Sequence, residues 1–576
     1  MSLTLVAGAA LGASSLLVYN TSGYGTTMLL LWLAALAALS VSFWSISAAL
    51  PRIAVSDLVT AVLLMVAFVP LYLVAIYRWP VQVSSDEQAI LQVSRQYSDA
   101  GGVDPFGVST YLGRPTLLFL FWGRAGELFG GIDLYQMRVL HAVFGLLVIA
   151  ASYALFRQLL ERRWAIFAAV LLGSSHALFM ISRLAMRENT AVLVEVVAFT
   201  MLVWGLRHDH ALATFSGGFV AGLGYYVYFP GRATLPLWIF FLVLLALVFR
   251  SQFQIRRLAR LGAIGVAGFI LMAGPIMIAE SKVEDPLGSP QKQTLLIYPE
   301  GRAVQQGWVF APTIEDGVKT NIKWGLTTFN NDIVDHGWIY ENHGHGFVDP
   351  LTGILLWIGV VVVGWNLIRR RGDPWSLLAL GSFLVLWLSF AFVVNKAPNY
   401  TRLLITLPFV AYLVTVAVRA LGGRVEHRYG YRHGVAAVAL TTVTAIVVWN
   451  LAIAWDYVQE GRREGDPIGS TGRYVYAHRD DPGQRFYIAA DDGSWKYFNW
   501  GDPKMRVQVF AHEGQVGELV NPLTVGSFTG TPPFAIFMRS DVWMQYGEAL
   551  LDRYPQARPT NITPDGRLIV VDVPKP

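Results

Sequence analysis

Windows of about 17–25 predominantly apolar residues recur along this chain, and a stretch of that length is what it takes to cross the hydrocarbon core of a bilayer. They lie near 3–19, 28–50, 57–77, 137–157, 164–182, 190–206, 213–229, 233–249, 261–279, 351–368, 375–395, 403–421 and 434–455. Hydrophobic residues make up 54% of the chain and charged residues 14%, where an ordinary soluble domain carries about 25% charged residues. The expected fold is therefore mainly α: a polytopic transmembrane helical bundle of about thirteen spans. Windows 213–229 and 233–249 are separated by Pro230-Gly231-Arg232, which reads as a turn or a re-entrant break. The first window has the apolar core and small residues of a signal peptide. It lacks a basic n-region and a second apolar window follows at once, so it reads as a retained helix.

Orientation follows from where the basic residues fall in the short loops. Alternate loops hold Arg52; Arg157, Arg162 and Arg163; Arg207; Arg250, Arg256, Arg257 and Arg260; Arg369, Arg370 and Arg371; and Arg424, Arg428 and Arg432. These loops are expected in the cytoplasm, with the N-terminus. The loops 78–136, 280–350 and 396–402 and the C-terminal region are then extracytoplasmic, and the membrane is expected to be the plasma membrane.

Residues 456–576 lack long apolar runs. Strand-like segments occur at 485–490, 505–510, 534–539 and 568–573, and helical spacing of Trp543, Tyr546, Ala549 and Leu550 follows Asp541, a good N-cap. The expectation is a small α/β domain outside the cytoplasm, large enough to bury its own core. The chain has no cysteine, which excludes disulfides, thiolate metal sites and a cysteine nucleophile.

The loop after window 57–77 places two adjacent carboxylates, Asp86 and Glu87, a few residues beyond the end of a span. Carboxylates at a membrane surface must be solvated, paired or used. Ile90, Val93 and Tyr97 fall on one side of a helix begun there, with its apolar face in lipid or against the bundle. Two readings stand side by side. In one, the acids are first-turn residues that complement the helix dipole. In the other, Asp86 is a general base and Glu87 a second acid or metal ligand. A second polar cluster, Tyr111-Leu112-Gly113-Arg114-Pro115, follows in the same loop.

An acid pair after a span, then Gly113-Arg114-Pro115, then TLLFLFWGRAGELFGG with Leu128-Phe129-Gly130, then Arg138 opening the next span, resembles the GT-C class of membrane glycosyltransferases. The likeness is to its protein O-mannosyltransferase and aminoarabinose transferase branch. GYYVYFPGRATLPL (224–237) and NKAPNYTRLLITLPF (395–409) are similar to later family elements. The chain departs from the family in two extra spans before the acid pair and in Arg114, where some relatives carry lysine. The resemblance implies an inverting glycosyltransferase that takes a sugar from a polyprenyl-phosphate donor and passes it to a protein, lipid or glycan acceptor outside the cytoplasm. Its partners would be these and membrane lipids, with no nucleic acid. It implies Asp86 as base and Arg114 as the first cation for the leaving phosphate, followed by Lys396 and Arg402. Arg183 is a further phosphate candidate; headgroup anchoring is the plainer reading of it and of Arg187. The implied plan is extra N-terminal helices 1–56, a catalytic membrane module 57–279 with its external loop 78–136, an external loop 280–350, C-terminal helices 351–455 and the soluble domain 456–576.

Loop 280–350 contains Asp332, Asp335, His336, Glu341, His343 and His345. No cofactor is required by these readings. A divalent metal held by His343, His345 and a carboxylate, Glu87 among the candidates, stands as the alternative to a plain polar loop. There is no phosphate-binding G-x-x-x-x-G-K-[ST] loop and no Asp-x-Asp pair, which argues against ATP-driven transport and nucleotide-sugar chemistry. The rival reading is a transporter or lipid flippase, for which ionisable residues inside spans would speak. Glu195 and His176 are the notable ones.

Overall fold

The computed structural model describes the chain except residues 1–2, 48–53, 77–78, 81–84, 110–113, 129–131, 284–291, 331–345, 370–371, 431–432, 464–466, 491–506, 508–510 and 512–515. The chain is an integral membrane protein. Among the described residues, 11 helices are long and apolar enough to cross a bilayer, and a bent pair makes a twelfth. In order the first helices are α1 (Leu3–Ser22), α2 (Thr26–Ser45), α3 (Val55–Leu73), α4 (Ser85–Asp99), α5 (Thr116–Leu128), α6 (Leu134–Leu159), α7 (Arg162–Ser174), α8 (His176–Ser182), α9 (Glu188–His208), α10 (Ala211–Leu223), α11 (Thr234–Val248) and α12 (Ile255–Ser281). Every expected apolar window carries a helix, with two departures from a plain span.

The window 213–229 is the first. Its helix α10 has 13 residues, about 20 Å of rise against a core of about 30 Å. The chain then turns through Tyr225–Tyr228 into a 3-10 helix, Phe229–Ala233. The expected full span is thus a short helix that ends before the turn at Pro230. What α10 lacks in length it makes up in closeness to α12: a Cβ on Gly218 would lie 1.8 Å from the Gly265 carbonyl, so only glycine permits this approach.

The second is the window 164–182, which bends by 57° between α7 and α8. At the break His176 donates its backbone N–H to Asn450 Oδ1 (2.8 Å), and His176 Nδ1 lies 2.7 Å from the same oxygen. Asn450 belongs to the last long helix, Gly434–Arg463, and passes a hydrogen bond from Nδ2 to Asp349 Oδ2 (2.9 Å). Asp349 in turn caps Pro350–Ile368 through Thr352 N–H. His176 is therefore a structural residue.

The basic short loops meet one another. Arg157 Nε lies 2.9 Å from Asp57 at the start of α3, with Arg162 Nε at 3.7 Å. Arg257 and Arg260 pair with Asp209, Arg419 with Glu161, and Arg207 stands 4.5 Å over the Trp375 ring. These contacts tie expected cytoplasmic loops to one another in two groups, one around Asp57 and Glu161 and one that runs from Asp209 to Trp375. The acid pair and its neighbours lie among other helix ends.

The amphipathic helix α4 turns its apolar face to protein, not lipid. Ile90, Leu91 and Val93 are buried against Leu118, Phe119 and Trp122 of α5, Met137 of α6 and Ala185. A Cβ on Gly123 would sit 2.5 Å from the Ser94 carbonyl, so α5 lies directly on α4.

The C-terminal region forms a five-stranded sheet of β1 (Arg485–Ala489), β2 (Val516–Val520), β3 (Phe534–Arg539), β4 (Arg558–Asn561) and β5 (Leu568–Val573), in the order β2-β1-β3-β5-β4. β1 runs parallel to β2 and β3; β5 runs antiparallel to β3 and β4. Alternate residues of β3 enter separate cores, Ala535 and Phe537 on one face and Phe534, Ile536 and Met538 on the other. That two-sided burial explains its unbroken apolar run. The strand expected at 505–510 lies outside the described residues except Val507. The helix before this region runs on to Arg463, past the boundary expected at 456.

Candidate active site

Glu87 and Arg138 organise the first turn of α4. Arg138 donates from Nε to Glu87 Oε1 (2.9 Å) and from Nη2 to Oε2 (3.0 Å). It also donates from Nη1 to the Pro80 carbonyl (2.7 Å). Ala185 N–H adds a bond to Glu87 Oε1 (2.7 Å). Glu87 is wholly buried and Arg138 is 2% exposed. The pair therefore joins the loop before α4, the start of α6 and the segment after α8 at one point.

Asp86, one residue earlier, is half-buried. Its charge bears on a second buried carboxylate, Glu188, at the first turn of α9. The charges that bear on Glu188 are Arg187, then Asp86, then Arg114. Glu188 is 2% and Arg187 8% exposed. The adjacent Asn189 fixes this turn to α6 through a bond from Nδ2 to the His141 carbonyl (2.7 Å).

Tyr228 extends the cluster. Its ring lies 5.6 Å from the Arg187 guanidinium, and its hydroxyl is 3.1 Å from Thr401 Oγ1. Burial first, and then Glu188, raises the Tyr228 hydroxyl above the ordinary tyrosine range, with Arg402 and Arg187 opposing. Tyr228 is accordingly a neutral hydrogen-bond donor at neutral pH. Arg402 stands 5.7 Å from the Phe229 ring and donates from Nη1 to the Asn395 carbonyl (2.7 Å). Four separate segments thus meet here: the acid-pair loop, the start of α9, the 224–233 turn and the 395–402 turn.

Of the residues expected at the donor phosphate, Arg114 and Arg402 fall within this electrostatic cluster. Lys396 sits in the same turn as Arg402, in a left-handed backbone conformation (φ 58°) that costs a non-glycine residue about 1–2 kcal/mol. Its Nζ lies 4.4 Å from the Trp308 ring, on the helix Pro299–Trp308.

Arg183 calls for a correction. Its Nη1 donates to the Leu71 carbonyl (2.8 Å), Nη2 to those of Val74 and Trp79 (2.8 Å each), and Nε to Trp79 (3.2 Å). Its guanidinium lies 3.8 Å from the Trp79 ring. The side chain caps the open carbonyls at the end of α3 and has no face to offer a phosphate.

Glu87 is also not where the sequence alone would put a metal ligand. Both its oxygens accept from Arg138, and one from Ala185 as well. His343 and His345 lie outside the described residues, as do Asp332, Asp335, His336 and Glu341. Among the described residues, no three His, Asp or Glu side chains are grouped to hold a metal.

Sequence reasoning missed Glu188, Asn189, Tyr228 and Thr401. One signal was legible: Arg187-Glu188-Asn189 puts three polar residues at the mouth of an apolar span, and two of them are charged and buried.

Residues 105–279 match the family described as dolichyl-phosphate-mannose-protein mannosyltransferase. No curated protein matches the sequence. In structure the chain is similar to the archaeal oligosaccharyltransferase AglB from Archaeoglobus fulgidus, solved with an inhibitory peptide and a dolichol-phosphate. Identity is 14% and the TM-score 0.50, over 81% of this chain and 64% of that one. It is similar as well to the apo oligosaccharyltransferase of that organism, at 13% identity and TM-score 0.52, over 86% of this chain and 71% of that one. ArnT from Cupriavidus metallidurans, bound to undecaprenyl phosphate, aligns at 16% identity and TM-score 0.48, over 91% of this chain and 99% of that one. The chain spans about two thirds of AglB, 64% of its length. The chain thus shares its fold with the Archaeoglobus fulgidus oligosaccharyltransferases.

Proposed function

We propose that the protein is an inverting glycosyltransferase that moves a sugar from a polyprenyl-phosphate donor to a hydroxyl-bearing acceptor on the extracytoplasmic side of the plasma membrane. One observation carries this reading: the charges of Asp86, Arg114 and Arg187 bear on the buried Glu188, those of Arg187 and Arg402 bear on Tyr228, and the Arg187 guanidinium lies 5.6 Å from the Tyr228 ring. A carboxylate beside several cations is what one displacement at an anomeric carbon needs.

Asp86 takes the acceptor hydroxyl proton as the oxygen attacks the anomeric carbon from the face opposite the phosphate. The bond from that carbon to the phosphate oxygen breaks, and polyprenyl phosphate leaves with the electron pair. Arg114, Arg187 and Arg402 balance the charge that develops on it, and the Tyr228 hydroxyl supplies a neutral donor. Arginine can meet phosphate through two parallel hydrogen bonds. Lys396 remains a candidate at the rim of the same turn. Glu87 is a positioning residue, since its clamp on Arg138 sets where α4 begins and hence where Asp86 stands. The polyprenyl tail explains the place of the site. Each buried CH₂ contributes about 0.8 kcal/mol to keeping a lipid chain in the bilayer, so the phosphate must be met at the membrane face.

The basic residues of the alternate short loops favour a cytoplasmic N-terminus and an external site and C-terminal domain. With His176 used in the bend between α7 and α8, the transporter reading loses one of its two supports. The reading is tested by following transfer from a radiolabelled polyprenyl-phosphate sugar in membranes carrying wild-type or Asp86→Asn protein. Transfer by the wild type that Asp86→Asn abolishes is expected. Equal transfer by both would overturn it.

A further inference from the structure

We infer that the two N-terminal helices act as a positioning element for Arg114, through an aromatic socket that holds Phe106. The inference rests on the reading of Arg114 as a cation for the donor phosphate. It concerns the part of the chain that the family resemblance leaves over, α1 and α2.

Phe106 lies in the loop between α4 and α5 and is 5% exposed. Its ring is surrounded by Tyr19 of α1 at 6.4 Å, Tyr24 of the α1–α2 turn at 6.1 Å, Trp32 of α2 at 5.5 Å and Tyr226 at 6.2 Å. Three of these four rings come from the N-terminal hairpin. The contacts are edge-on or tilted, the arrangements that aromatic pairs favour. A polar bond locks the same spot. Tyr19 donates its hydroxyl to Asp104 Oδ2 (2.7 Å), while Asp104 Oδ1 accepts from Phe106 N–H (2.9 Å).

The socket is itself fixed to the bundle. Trp32 donates from Nε1 to the Leu271 carbonyl of α12 (2.7 Å). Lys282, just past α12, donates to the Asn20 carbonyl (2.6 Å). The path from Phe106 to Arg114 is short and bonded: Thr116 N–H donates to the Gly107 carbonyl (3.0 Å), Val108 pairs with Pro115, and Ser109 N–H donates to the Arg114 carbonyl (2.6 Å). On one flank this loop borders a cavity of about 460 Å³ lined by Tyr19, Tyr97, Asp104, Thr116 and Lys282, among others. That flank gives the loop little packing. The socket is what holds it, and the backbone ladder carries the constraint to Arg114. Misplacing a binding group by about 1 Å can cost on the order of 100-fold.

The test measures binding of undecaprenyl phosphate and of dolichyl phosphate to the purified full-length protein in detergent. Phe106→Ala, Arg114→Ala and the double variant are compared with wild type. Phe106→Ala is expected to weaken binding by about ten- to a hundred-fold. Because it acts through Arg114, the double variant should bind no more weakly than Arg114→Ala alone. A general structural defect would instead add to the loss at Arg114. Wild-type binding by Phe106→Ala, or an additive double variant, overturns the inference while Arg114→Ala still shows its own loss. If Arg114→Ala binds like wild type, the donor reading of Arg114 fails first and takes the inference with it. Should Phe106→Ala not yield folded protein, Tyr19→Phe removes one hydroxyl only and enters the same cycle. It should weaken binding by a smaller factor, again without adding to Arg114→Ala; no effect, or an additive one, counts against the socket.

Discussion

Arg138 holds Glu87 by two parallel hydrogen bonds of 2.9 and 3.0 Å at a point where neither side chain is more than 2% exposed. Cutting one partner from a buried ion pair leaves the other charge without compensation, at a cost of about 3–5 kcal/mol. Glu87→Ala and Arg138→Ala should therefore lose folded protein, seen as lower yield and a lower melting temperature in detergent. Arg138→Lys should recover little, since an ammonium cannot span both oxygens. A Glu87→Ala protein that melts with the wild type would show that the clamp does not matter to stability.

Asp86, one position away and half-buried, should behave in the opposite way. Asp86→Asn is expected to leave the melting temperature unchanged and to cut transfer by about 10²–10⁴-fold, the usual worth of a positioned base. Near wild-type turnover would remove Asp86 from the mechanism and turn attention to Glu188.

Arg183 and Arg402 should separate cleanly by readout. Arg183→Ala strips hydrogen bonds from the carbonyls of Leu71, Val74 and Trp79; an unsatisfied buried group costs about 1–3 kcal/mol. Its effect should fall on thermal stability, with donor affinity kept in whatever protein folds. Arg402→Ala should raise the KM for donor by about tenfold or more, on the basis that a hydrogen bond to a charged group is worth about 1.5–3 kcal/mol. The reverse pattern would restore Arg183 as the phosphate residue.

Protease added to sealed, right-side-out cells should nick or release the region after Arg463, because the sheet domain is proposed to lie outside. Protection until the cells are lysed would mean an inverted topology.

Much of this fold was legible because apolar length is a coarse signal that a bilayer enforces strictly. It shows in α3, α6, α9 and α12, each under its expected window. The misjudged cases involve information that length does not carry. Window 213–229 is apolar enough to span, yet Tyr225–Tyr228 leave the helix for a turn, and hydropathy is blind to that. Strands Val516–Val520 and Arg558–Asn561 went unread; the latter is exposed at an edge, so its residues lack an alternating pattern. At the site, Arg114 and Arg183 look alike in sequence, each a basic residue outside a span. What tells them apart is the carbonyls of Leu71 and Val74 at the end of α3 and that of Trp79 just beyond it, over 100 positions before Arg183. Glu188 was missed although Arg187-Glu188-Asn189 marks the mouth of a span, because the apolar run from Ala191 onward swamps one charge in a window average. Asp86 and Glu87 were read together as a base and a second acid or metal ligand; the pairing of Glu87 with Arg138 could not be read from sequence spacing.

The bond between His176 and Asn450 has a consequence for how the protein is made. The two residues are 274 positions apart. At roughly 5–20 residues per second, a ribosome needs about 14–55 seconds to travel that distance. Until then the Asn450 oxygen that accepts from the first amide of α8 has not been made. The last long helix to be inserted thus completes a joint made early in synthesis. A nascent chain halted before Asn450 should be more readily cut near Ser175 than one released whole, and Asn450→Ala should reproduce that sensitivity in the finished protein. If neither is cut more easily, the bend closes without the late helix.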